Sequence, residues 1–111
     1  MAKFEFSLLT KDEAIDIARR YTNFIDKQIP VENAYLFGSY AKGTADKFSD
    51  IDVAIVSRHF SGDIFEDRLW LMDQVHHIDS RIEPHPYTLE RAKEPMTFFT
   101  HEIQRTGIPL L

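Results

Sequence analysis

The chain has 111 residues, 43% of them hydrophobic and 28% charged, so we expect a single globular domain over residues 1–111. Its formal net charge of −5 argues against direct nucleic-acid binding, which depends on Lys and Arg placed opposite phosphates. No apolar run approaches the ~20 residues of a membrane span, and Glu5 stands where a signal peptide would be apolar. Because the chain also lacks cysteine, we expect a cytoplasmic protein.

The first half of the chain predicts a helix and then a buried strand. Thr10 and Glu13 have the spacing of a capping box, which begins a helix. Apolar residues then recur every three to four positions until Pro30: Ile15, Ala18, Tyr21, Phe24 and Ile25. Residues 34–37 are aromatic and apolar and predict a strand that ends in a turn at Gly38, with a short helix beginning at Ser39.

The second half predicts a strand, a helix, a strand and a helix. Residues 51–56 alternate as a strand, and the segment Ser61-Gly62-Asp63 offers a cap for a helix. The predicted buried stripe of that helix is Phe65, Leu69, Met72 and Val75. Residues 81–85 predict an edge strand, because Pro84 and Pro86 cannot donate to a central ladder. A final helical stripe is Met96, Phe99 and Ile103, with Gly107 as its cap. Residues 108–111 either add a strand or fray. The fold class is therefore α/β (α+β), a small mixed sheet covered by helices.

The informative motif is Gly-Ser, ten residues, then Asp-x-Asp, at Gly38, Ser39, Asp50 and Asp52. Asp-x-Asp alone is expected about 0.9 times by chance in this composition, whereas the joint pattern is expected about 0.002 times. Carboxylates two residues apart on a strand share a face, repel each other and favour Mg²⁺ or Mn²⁺ between them. Ser39, at a helix start where it is also a candidate cap, would face a phosphate with Lys42 adding a positive charge.

This stretch resembles the nucleotidyltransferase superfamily typified by DNA polymerase beta, in particular the minimal nucleotidyltransferases. Residues 82–86 are similar to the segment that supplies the third carboxylate in minimal members, and residues 102–108 to their usual ending. The resemblance implies the polymerase beta-like fold and makes Glu83 the third metal ligand and a candidate base, beside Asp50 and Asp52. Tyr40 stands where many relatives carry Arg. His85 shares the predicted face of Glu83, where it could contact metal, nucleotide or neither, and we favour no specific contact.

The resemblance implies transfer of a nucleoside monophosphate, AMP from ATP, with two Mg²⁺ or Mn²⁺ ions held by Asp50, Asp52 and Glu83. Gly38, Ser39 and Lys42 would bind the triphosphate. Minimal members are commonly paired with a small helical HEPN-domain protein as antitoxin and toxin, so a hydroxyl on such a partner is the expected acceptor. A binding module that neutralises its partner by contact alone is the alternative, and a drug-modifying transferase is a third. The sequence leaves the oligomeric state open, including a homo-oligomer.

Overall fold

The computed structural model describes residues 8–111, which form a four-stranded mixed sheet with helices on both faces. The strands are β1 (Asn33–Phe37), β2 (Ile51–Val56), β3 (Ile82–Tyr87) and β4 (Ile108–Pro109), in the order β3-β2-β1-β4. β1 is antiparallel to β2 and β4, whereas β3 is parallel to β2. The helices are α1 (Lys11–Asp26), α2 (Ser39–Lys42), α3 (Ile64–Val75) and α4 (Leu89–Lys93), and a π-helical turn (Phe99–Ile103) continues into α5 (Gln104–Thr106). The predicted α/β class is confirmed.

The expectation about an export signal rests on residues 1–7, which lie outside the part that the structure describes. Within residues 8–111, no helix combines the length and the apolar character needed to cross a bilayer.

Helix α1 begins as predicted but buries a slightly different stripe. Glu13 N–H donates to Thr10 Oγ1 at 3.0 Å and Thr10 N–H donates to Glu13 Oε1 at 2.8 Å, which completes the capping box. The buried residues are Ala14, Ile17, Ala18, Tyr21, Thr22 and Ile25. Ile15 and Phe24, predicted inside the stripe, lie half-buried at its margins. The buried Tyr21 hydroxyl donates to the Leu71 carbonyl at 2.8 Å and joins α1 to α3.

Strand β3 lies at the sheet edge, as its prolines predict, and runs two residues further than expected. Ile51 N–H donates to the Arg81 carbonyl at 2.9 Å and Ser57 N–H to the Tyr87 carbonyl at 3.1 Å. The odd-numbered residues of this stretch therefore turn their backbone groups toward β2. Pro84 and Pro86 alternate with these residues, so their backbone groups point to the open edge of the sheet. A missing N–H there costs no ladder hydrogen bond.

The predicted buried stripe of α3 is wrong for three of its four residues. Phe65 is 71% exposed, Leu69 53% and Met72 40%, whereas Val75 is buried together with Leu71. Apolar residues occur on both sides of this helix, so periodicity alone leaves its orientation open. The sheet covers the side that carries Leu71. The opposite side keeps an exposed apolar row, defined here as Phe65, Leu69 and Met72.

The C-terminal segment differs from the single predicted helix. Helix α4 was not predicted, and Met96 is 81% exposed with φ +65°, between elements rather than on a buried stripe. Phe99 and Ile103 are buried as expected. Gly107 does end α5, in extended conformation, and its backbone comes so close to the Ile103 carbonyl that a side chain would collide with it. The chain then adds β4 beside β1 rather than fraying.

Candidate functional site

Gly38 brings the end of β1 directly against Asp52. Its backbone has φ +79° and ψ −153°, a conformation that residues with a side chain rarely adopt. A Cβ at this position would collide with Asp52 Oδ2, so glycine suits the turn and also leaves the Asp52 carboxylate in its place. Phe37 and Asp52 are register partners in the antiparallel pair of β1 and β2. The two halves of the sequence motif, ten residues apart, therefore meet in space.

The loop before β2 is held by its own hydrogen bonds. Asp46 Oδ1 accepts from Phe48 N–H at 2.8 Å, and Ser49 Oγ accepts from Asp46 N–H at 2.9 Å. This local turn fixes the entry of Asp50 just before β2 begins at Ile51. Asp50 is exposed at the rim of the sheet, and Asp52 is half-buried on the strand.

Glu83 joins the two aspartates because β3 is parallel to β2. Asp52 and Glu83 are register partners, so both side chains lie on the same face of adjacent strands. Asp50 also lies within hydrogen-bonding contact of Glu83. Partial removal from water, this hydrogen bond and the negative charge of Glu83 together raise the pKa of Asp50 above its ordinary value. Negative charge is therefore concentrated where the sequence predicted the metal ligands.

Cationic or aromatic side chains contact two of these carboxylates. Arg68, on α3, forms an ion pair with Glu83 Oε2. His85 Nε2 lies 3.2 Å from Asp52 Oδ1, and the His85 ring packs against Phe37 with centroids 4.9 Å apart. The register places His85 two residues beyond Glu83 on the same face, which explains this contact with Asp52; the expectation that His85 contacts neither metal nor nucleotide stays a prediction.

The residues predicted to bind phosphate differ from one another in their contacts. Ser39 is the first residue of α2, and Gly38 is the cap, so Ser39 does not serve as the helix cap that the sequence left open. Within residues 8–111, no group hydrogen-bonds the Ser39 hydroxyl. Lys42 forms an ion pair with Glu102. Tyr40 is 4% exposed and accepts from Leu9 N–H at 3.4 Å, so its side chain belongs to the core.

In the described part of the chain, no three His, Asp or Glu side chains are arranged as a ready-made metal cluster. The ligand assignments for Asp50, Asp52 and Glu83 therefore stay predictions. Their chemistry nevertheless fits a hard divalent cation, because carboxylate oxygens are its preferred donors and Asp50 and Glu83 repel each other.

The sequence profile of the nucleotidyltransferase domain family matches residues 15–104, which include every site residue considered above. The chain belongs to the nucleotidyltransferase domain family. Its strand order, mixed sheet and helices are consistent with the polymerase beta-like fold. No curated protein sequence is recognisably similar to this nucleotidyltransferase domain.

Solved structures give the same fold. A candidate nucleotidyltransferase from Sulfolobus solfataricus is 17% identical with a TM-score of 0.65, and the match covers 89% of this chain and 80% of that one. A toxin–antitoxin structure with AMP-PNP is 24% identical with a TM-score of 0.57, covering 93% and 73%. A mutant of the toxin–antitoxin MntA–HpeT, with two aspartates replaced by glutamate, is 21% identical with a TM-score of 0.54 and the same coverage.

Two site contacts of this nucleotidyltransferase domain were not found from sequence. The contact of His85 with Asp52 could have been predicted, because alternation along β3 already put His85 on the face of Glu83. The contact of Arg68 with Glu83 had no sequence signal. It links α3 to a strand fifteen residues away and depends on how α3 lies beside the sheet edge.

Proposed function

We propose that this nucleotidyltransferase domain transfers AMP from ATP to a hydroxyl group on a partner protein, using divalent metal. The observation that carries the proposal is the approach of the Gly38 turn to Asp52, with Glu83 in register beside it. In this arrangement a triphosphate bound at the turn would lie next to the carboxylates proposed to hold its metal.

Asp50, Asp52 and Glu83 are the residues that would hold the metal, as Mg²⁺ or Mn²⁺ in two sites. Bound there, the metal would supply Lewis-acid polarisation of the phosphate and of the attacking hydroxyl. Asp52 stands between the other two carboxylates in this proposal. It is two residues from Asp50 along the chain and is the register partner of Glu83 on β3.

The Gly38–Ser39 turn is proposed to bind the β- and γ-phosphates. The Ser39 hydroxyl and the backbone N–H groups at the start of α2 are donors without a side-chain cap. Lys42 adds positive charge to this turn, but its ammonium group pairs with Glu102 and must leave it to reach a phosphate. We therefore assign phosphate binding first to Ser39 and the backbone, and second to Lys42.

The proposed reaction is a single displacement. The acceptor oxygen forms a bond to the α-phosphorus, the bond between that phosphorus and the bridging oxygen breaks, and pyrophosphate leaves with the electron pair. The hydroxyl proton passes to a base, for which Glu83 is the candidate. Rate enhancement would come from positioning and electrostatic stabilisation, since no covalent enzyme intermediate is needed.

A partner protein is the proposed acceptor for three reasons. The net charge of −5 disfavours RNA or DNA at the site. Two structures of similar fold come from toxin–antitoxin systems, one of them solved with AMP-PNP. The exposed apolar row of α3 offers a contact surface for a small helical protein of the HEPN type. This chain would then be the antitoxin of a HEPN toxin–antitoxin pair in the cytoplasm.

The test is incubation of the purified chain with ATP, Mg²⁺ and its cognate helical partner, followed by mass spectrometry of the partner. We expect a covalent increment of one or more AMP groups, lost in Asp50→Asn/Asp52→Asn while the circular dichroism spectrum is unchanged. The matched control, Asp73→Asn/Glu90→Gln, removes two exposed charges elsewhere and should retain the increment. Full transfer by the Asp50→Asn/Asp52→Asn variant would refute the metal assignment.

A binding module is the second candidate, and the position of Tyr40 favours it. The resemblance implies that an Arg at this position contacts phosphate, whereas the Tyr40 side chain is buried. In that case the partner is neutralised by contact alone. A stable complex with no increment, whose neutralising effect survives Asp50→Asn/Asp52→Asn but is lost in Leu69→Asp on the apolar row, would establish the binding module. Leu111→Asp, at another exposed apolar residue, is the control.

A further inference from the structure

Arg68 connects the outer surface of α3 to the candidate metal ligands. Its guanidinium contacts Glu83 Oε2, and the two side chains are 41% and 32% exposed. Helix α3 packs through Leu71 against the face of the sheet that carries Ile82, whereas Glu83 lies on the opposite face with Asp52. Arg68 therefore reaches Glu83 around the edge strand β3.

On α3, Arg68 lies beside the exposed apolar side chains. It lies within the apolar row, one residue before Leu69 and three residues after Phe65. Together with Phe65, Leu69 and Met72 it lines a shallow cleft of about 340 Å³. A molecule seated on the row would therefore contact the same side chain that holds Glu83.

The chemistry of this contact opposes metal binding at Glu83. A guanidinium is always charged at physiological pH and donates along the lone-pair directions that a cation would use. A divalent ion close to Glu83 would also be repelled by the positive charge of Arg68. Lys42 and His85, which also lie near the site, have different partners, since Lys42 pairs with Glu102 and His85 contacts Asp52.

We propose that Arg68 competes with divalent metal for the Glu83 carboxylate and so sets the metal concentration at which the site fills. The inference rests on the proposed function, because it takes Glu83 as a metal ligand. In this role Arg68 is a positioning residue that acts through Glu83.

The experiment is a Mn²⁺ titration of the full chain without nucleotide, following free Mn²⁺ by electron paramagnetic resonance. Arg68→Gln should bind Mn²⁺ about two- to fivefold more tightly, the size expected for loss of a partly exposed ion pair. Arg68→Lys keeps the charge and should stay close to the wild type. Arg58→Gln, which breaks the exposed ion pair with Glu32 beyond the other end of β2, is the matched control and should change nothing.

The gain must disappear when Arg68→Gln is combined with Asp50→Asn/Asp52→Asn, which shows that the ion occupies this site. Unchanged or weaker Mn²⁺ binding in Arg68→Gln would overturn the inference, and weaker binding would show that Arg68 orients Glu83 for metal. If Asp50→Asn/Asp52→Asn binds Mn²⁺ as tightly as the wild type, the metal assignment of the proposed function is overturned, whatever the effect of Arg68→Gln. Binding that is measurable only in Arg68→Gln, and lost with the aspartates, would support both.

Discussion

Replacing Gly38 by alanine tests whether the turn and the catalytic strand depend on each other. The substitution has two separable costs. The first is the backbone conformation, φ +79° and ψ −153°, which costs a non-glycine residue about 1–3 kcal/mol. The second is the collision of the new Cβ with Asp52 Oδ2, which forces a shift of the carboxylate that His85 contacts. We expect a loss of about 2–4 kcal/mol in the free energy of unfolding.

Gly43 provides the matched control. It also has a positive φ, +80°, but a Cβ there meets no atom within 4 Å. Gly43→Ala should therefore cost only the left-handed backbone penalty, about 1–2 kcal/mol. The two variants together separate conformational strain from the collision with Asp52.

Urea denaturation followed by circular dichroism is the assay, with Asp52→Ala as a second background. Without the Asp52 carboxylate, the cost of Gly38→Ala should fall by about 1 kcal/mol, whereas the cost of Gly43→Ala should not change. Metal binding by the folded Gly38→Ala protein should weaken, because Asp52 is displaced. Equal costs for the two glycines, or the same cost of Gly38→Ala in both backgrounds, would refute the reasoning.

Two further predictions concern nucleotide binding and acid stability. Ser39→Ala should weaken ATP binding in calorimetry by about tenfold with little change in stability, because its hydroxyl caps nothing; unchanged affinity would remove Ser39 from the phosphate site. The side-chain hydrogen bond from Arg81 lowers the pKa of Asp79, so this ion pair stabilises the fold above the ordinary carboxyl range and the contribution is lost as pH falls through the lowered value. Denaturation between pH 6 and 3 should show a shallower acid loss in Asp79→Asn, and identical slopes would contradict that assignment.

The sequence by itself determined the parts of this protein that depend on local chemistry. The capping box at Thr10 and Glu13 fixed the start of α1, because its two hydrogen bonds need only neighbouring residues. The alternation of residues 51–56 predicted β2 with its observed bounds, and the two prolines placed β3 at an edge. The motif spacing identified the residues that the turn at Gly38 brings together.

Only the tertiary structure decided the features that depend on which surface meets which. Helix α3 has apolar side chains on both sides, and the sheet covers the Leu71 side, so Phe65 and its row stay exposed. The parallel pairing of β2 and β3 put Glu83 beside Asp52, which local sequence could suggest only through family resemblance. The reach of Arg68 around the sheet edge has no periodic signature at all. Such contacts join residues distant in sequence, and their geometry is set by packing rather than by propensity.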